Sequence, residues 1–180
     1  MQSARIWFDA EAYPLDLNGL RDLLVSLGCV VQETEWRLGD EVVPQLAVKS
    51  PTPFLIQIDG NDWVQEEAEE LAEAYADQMT GEQASFMRSC RVRLEVGDNE
   101  EVDVTGKGVT SWAGFTQFDP GSGKARKVLR ALTVALGGVF EDNVNGVVWC
   151  PPRAGGQGRE PQTTSGFLAN LVRRLLGRRQ

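Results

Sequence analysis

The chain is 180 residues long, 42% hydrophobic and 24% charged, and its 26 acidic against 18 basic side chains leave a formal net charge of −8; this is a globular composition with material for one core, or for two small fused ones. It has no histidine and three separated cysteines, Cys29, Cys90 and Cys150, with no CxxC pair. Ser-His-Asp and Cys-His catalysis, histidine metal centres and four-thiolate zinc are thereby excluded, and free, mostly buried thiols in a reducing compartment are expected.

In chain order, the first residues carry Asp9, Glu11 and Asp16 and lack the apolar core of an export signal, so a cytoplasmic protein is expected. ARIWF at 4–8 predicts a short strand. PLDLNG supplies turn and cap chemistry, after which Leu17, Leu20, Leu24 and Leu27 recur at helical spacing up to Gly28, where a helix end favours a left-handed residue. CVVQETEWRL, rich in β-branched and aromatic residues, predicts a strand that GDEVVP turns back. QLAVKS and FLIQID follow as strands, with Pro-Thr-Pro at 51–53 interrupting or bending any pairing between them.

The clearest helix spans 61–81. Val64, Ala68, Leu71, Ala72, Tyr75 and Met79 form its apolar stripe, while Glu66, Glu67, Glu69, Glu70, Glu73 and Asp77 cover the rest. SCRVRLEVGDN then alternates, with Cys90, Val92, Leu94 and Val96 on one side and Arg91, Arg93 and Glu95 on the other, the pattern of a half-buried antiparallel strand. A third helix runs through KARKVLRALTVALG, with Ser122 as its candidate cap. GVFEDNVNGVVW predicts a hairpin around Asn145-Gly146.

Beyond residue 150 the composition changes. Residues 151–166 form a Pro/Gly-rich linker, and 167–180 a basic amphipathic helix with Phe167, Leu168, Leu171, Val172, Leu175 and Leu176 on one face and Arg173, Arg174, Arg178 and Arg179 off it. From 153 onward there are six arginines and one glutamate, so the tail is basic where the body is acidic.

Leu20–Val30 and Leu129–Val139 match at a constant offset of 109, with seven identities in eleven positions that include an arginine and the terminal glycine. This predicts duplication of a strand-helix-strand unit, about 1–82 and 83–150, within a globular domain of residues 1–150. The fold class expected is α+β: an antiparallel-rich sheet with three packed helices, two pseudo-repeated units, and a C-terminal amphipathic helix.

FDPGSGKARKVL resembles a phosphate loop, but Phe118 stands where such a loop has its first glycine and Ala125 where it has its magnesium-binding hydroxyl. Ser122, Gly123 and Lys124 are left as a weak anion site at a helix start, the basis of an alternative reading as a nucleotide- or anion-binding regulator or enzyme. Asp9 and Asp119 correspond under the repeat, and Asp59/Asp62 and Glu141/Asp142 sit near turns; solvated surface is the expectation for all of these. Four of the five tryptophans are assigned to core packing, while Trp112, in a glycine-rich segment without periodicity, is a candidate exposed anchor.

No cofactor and no metal are implied. The function expected is a non-catalytic intracellular protein-binding module, of the size and charge of bacterial toxin-neutralising or chaperone-like accessory proteins. Its partner residues would be Glu66, Glu67, Glu70, Glu73, Asp77 and Trp112, with Phe167, Leu168, Leu171, Leu175, Arg173 and Arg174 in the tail. A basic protein partner suits the acidic body, which repels nucleic acid. Membrane contact would come only through the tail, and self-association is a further expectation.

Overall fold

In the computed structural model, residues 4–38, 41–97, 102–103, 110–111 and 123–151 are described. Side chains of 36–38, 41, 102–103 and 110–111 are outside that description. The elements run β1 (Ala4–Phe8), α1 (Leu17–Ser26), β2 (Val30–Leu38), β3 (Glu41–Ser50), β4 (Phe54–Asp59), α2 (Trp63–Ala74), α3 (Gly81–Ser89), β5 (Val92–Gly97), β6 (Val102–Asp103), β7 (Thr110–Ser111), α4 (Gly123–Ala135), β8 (Val139–Asp142) and β9 (Val147–Trp149). Seven strands make one antiparallel sheet in the order β2-β3-β4-β5-β1-β8-β9, and β6 pairs β7 separately.

Period-two alternation sends side chains to both faces of this sheet, and both faces are covered. One face carries Ala4, Ile6, Phe8, Leu46, Val48, Phe54, Ile56, Leu94, Val96 and Phe140 against the leucines of α1 and α4. The other carries Trp7, Val139 and Val148 against α2 and α3. The result is an α+β sandwich with helices on both sides. β5 is therefore not half-buried as its alternation predicts; Arg93, on its polar side, is fully buried because α2 lies over it.

The expected hairpin at 139–149 forms, with Gly146 at φ 62° in the turn. As expected, Pro-Thr-Pro at 51–53 bends the chain between β3 and β4, whose pairing begins at Val48 and Phe54. Two expectations are corrected. The segment 41–44 belongs to β3 rather than to a turn, with Pro44 opposite Glu35. The long helix expected at 61–81 stops at Ala74, and a fourth helix, α3, begins at Gly81. Thr80 and Gln83 form a capping box there, with the Thr80 N–H donating to Gln83 Oε1 at 2.7 Å and the Gln83 N–H to Thr80 Oγ1 at 3.3 Å.

The repeated stretches share a helix stop. The Gly28 N–H donates to the Val25 carbonyl and the Cys29 N–H to that of Leu24; 109 residues on, the Gly137 N–H donates to Val134 and the Gly138 N–H to Thr133. Gly28 and Gly137 have φ of 82° and 61°, the left-handed region that lets a helix end and a strand begin at once. The strands that follow do not occupy equivalent places, since β2 is an edge and β8 lies between β1 and β9. The first strand of a second unit, near 118, lies outside the described residues, as do 152–166 of the linker and the tail.

Candidate protein-binding face

The register of β4, β5, β1 and β8 lines up two rows of side chains beneath α2. One row is Gln57, Glu95, Arg5 and Glu141; the next is Asp59, Arg93, Trp7 and Val139. Neighbours in such rows are close enough to interact directly. Two guanidiniums thus sit among carboxylates on a sheet surface that α2 partly covers.

Glu67 joins the helix to these rows. Its Oε1 lies 2.6 Å from Arg5 Nη1, and its Oε2 accepts from Arg93 Nη1. Arg93 also meets Asp59 Oδ2 at 3.0 Å and Glu95 Oε1 at 2.7 Å through Nη2, and stacks between Trp7, 5.1 Å away, and Trp63, 4.6 Å away. A guanidinium is suited to this, being planar, always charged and weakly hydrated. Trp63 opens α2 and remains 49% exposed, so its ring closes the stack on one side and meets solvent on the other.

Glu141 is 2% exposed and accepts a hydrogen bond from Trp7 Nε1 at 3.0 Å. Burial holds its carboxyl above the ordinary carboxylate range, with the Trp7 bond and Arg5 opposing the shift. Asp59 and Asp142 are also buried, contrary to the expectation of solvated surface, because each organises a turn. Asp59 accepts from the Asn61 N–H at 3.2 Å and Nδ2 at 2.8 Å, and Asp142 from the Val144 and Asn145 N–H groups at 3.1 Å each. Asp9 accepts from the Glu11 and Ala12 N–H groups at 2.9 and 3.3 Å, beside a shallow hollow of about 250 Å³ lined by Ala10, Ser89 and Arg91.

The outer side of α2 is different. Glu66, Glu69, Glu70 and Glu73 are exposed, as is Asp77 in the turn that follows. Among the described residues none of these pairs with a basic side chain; Glu69 accepts only from Gln65 Nε2, at 3.0 Å. Of the acids expected to form the binding row, Glu66, Glu70, Glu73 and Asp77 are exposed, while the half-buried Glu67 is turned to the ion network beneath the helix. A signal for it was present: Val64, Glu67 and Leu71 share a face at i, i+3 and i+7, which puts an acid on the apolar side. Arg5, Arg93 and Trp63 were missed as partners because cross-strand register is not written locally.

Trp112, Ser122, Phe167, Leu168, Leu171, Arg173, Arg174 and Leu175 lie outside the described residues. Gly123 and Lys124 are exposed at the start of α4, while Ala125, at the place of a phosphate loop's hydroxyl, is buried in the core. Cys29, Cys90 and Cys150 are not disulfide-bonded. Burial pushes the Cys29 thiol up to about 11 and that of Cys90 to about 12, so both are protonated and weakly nucleophilic at neutral pH. Among the described residues no helix is long and apolar enough to cross a membrane.

No protein-family model, curated protein or solved structure matches the chain.

Proposed function

We propose that the chain is a non-catalytic, intracellular protein-binding module whose outer α2 face engages a basic protein. The observation that carries this reading is the two-sidedness of α2. Its inner side is tied to two strands through Glu67, Arg5 and Arg93, while Glu66, Glu70, Glu73 and Asp77 face solvent without basic partners among the described residues. A helix held in this way presents its charges at little further ordering cost. Trp63, exposed on one side and stacked on Arg93 on the other, adds an aromatic of the kind that anchors interfaces. Neutralising a cationic toxin or escorting a basic client are the finer roles that this chemistry suits.

The test is capture from the native host with the wild-type chain and with the Glu66→Lys/Glu70→Lys/Glu73→Lys variant. A basic protein held stoichiometrically by the first and released by the second is the expected outcome. Absence of a partner, or equal retention by both chains, refutes the reading.

A further inference from the structure

The acidic chain carries a basic surface on the far side of its sheet. Residues 123–135 of α4 include no acid, and Lys124, Arg126 and Lys127 are exposed. Arg130 follows Arg126 by four positions and Lys127 by three, so these three share a side of the helix. Among the described residues none of the four meets a carboxylate. Arg130 instead stacks on Trp149, 4.8 Å from the ring centre, and among the described residues its buried Nε has no hydrogen-bond partner. Among those residues an aromatic plane rather than an acid meets this guanidinium.

α4 packs on the face opposite to α2. The two helices have 13 and 12 residues, or about 18–20 Å each at about 1.5 Å per residue. The charged positions occupy 124–130 of α4 and 66–73 of α2, about 9–11 Å each, so one molecule displays two short helical rows of similar length and opposite charge on its two outer surfaces. We propose that the basic side of α4 is a docking surface for α2 of a second copy, so that copies associate head to tail. This rests on α2 being a binding face, and it names a ligand for that face. The two surfaces differ, so the contact is heterologous: one dimer leaves an α2 and an α4 unpaired, and growth continues to a ring or an open chain. Exposed ion pairs are weak and screened, so the association is reversible and salt-dependent.

Sedimentation velocity of the full chain tests this between about 0.1 M and about 1 M salt, where the Debye length falls from about 10 Å to about 3 Å. The expected result is a sedimentation coefficient that rises with concentration at low salt and returns to the monomer value at high salt. Lys124→Glu/Arg126→Glu/Lys127→Glu and Glu66→Lys/Glu70→Lys/Glu73→Lys should each be monomeric alone and associate when mixed. Carbodiimide coupling of mixed light and ¹⁵N-labelled wild-type chains gives a readout independent of the variants. It should join Lys124 or Lys127 of one copy to Glu66, Glu70 or Glu73 of another. A chain monomeric at low salt, association indifferent to the reversals, or inter-copy links confined to other sites overturns the proposal. If the chain is monomeric yet the α2 reversal still releases a captured basic protein, the second copy fails as ligand while the reading of α2 stands.

Discussion

Replacing Arg93 by methionine keeps most of the side chain's apolar length and removes its charge. Arg93 is fully buried, and of its three carboxylates Asp59 is 6% exposed while Glu67 and Glu95 are 26% and 31% exposed. The latter two rehydrate when the cation leaves; Asp59 cannot. Removing one partner of a buried ion pair costs about 3–5 kcal/mol, and the escape of two carboxylates to solvent places this case near the lower end. Lost stacking on Trp7 and Trp63 adds to the cost, while the methionine's own contacts with those rings offset part of it. We expect a loss of about 3 kcal/mol, roughly a 150-fold fall in the folding constant at about 1.4 kcal/mol per factor of ten. Urea unfolding followed by circular dichroism at pH 7 measures it, and iodide quenching should show Trp63 more accessible in the variant. Asp59→Asn in the same chain should recover about half of the loss, because it neutralises the acid left buried. A cost below about 1 kcal/mol, or strict additivity of the two substitutions, would refute the role given to this network.

Three further outcomes are expected. The folded-state carboxyl of Glu141 titrates above its unfolded value because of burial, so its stabilising contribution is present in acid and is lost as pH rises through the folded-state value. Glu141→Gln, which retains an acceptor for Trp7, should thus be more stable than the wild type at pH 7 and indistinguishable from it near pH 4 in thermal melts. A Cβ at Gly138 would stand 2.3 Å from the Trp7 carbonyl oxygen, so Gly138→Ala should cost about 3 kcal/mol or more by urea titration. Gly28→Ala meets no atom within 4 Å and suffers only its φ of +82°, about 1–2 kcal/mol. With a thiol-reactive disulfide reagent at pH 7.5, Cys29 and Cys90 should stay unmodified in the folded chain and react on denaturation; modification of either without unfolding would contradict their burial.

Much of the scaffold was legible in local pattern. The leucine spacing of α1 and α4, the glycine stops, the alternation of β5 and the Asn-Gly hairpin each reflect short-range sterics or amphipathicity, which a few neighbouring residues settle. The repeat match found a shared helix stop for the same reason, without finding equivalent strands. α3 was hidden because it is short and buries only Ala84 and Met87, too few apolar positions to mark a stripe. Its start was nevertheless written in Thr80 and Gln83, a side-chain cap that periodicity overlooks.

What the sequence by itself determined was an acidic α+β chain without histidine chemistry, carrying an acid-rich helix around 63–74. Tertiary structure alone decided which acids were surface and which were core. β5 lies between β1 and β4, and that order brings Arg93 to Trp7 and Asp59 and sets α2 over them. Asp59 and Glu141 belong to that buried layer and the half-buried Glu67 ties α2 to it, while Glu66, Glu70 and Glu73 face water. The physical reason is that charge is a property of a residue, whereas desolvation and pairing are properties of its neighbours, most of them supplied by strands distant in the chain.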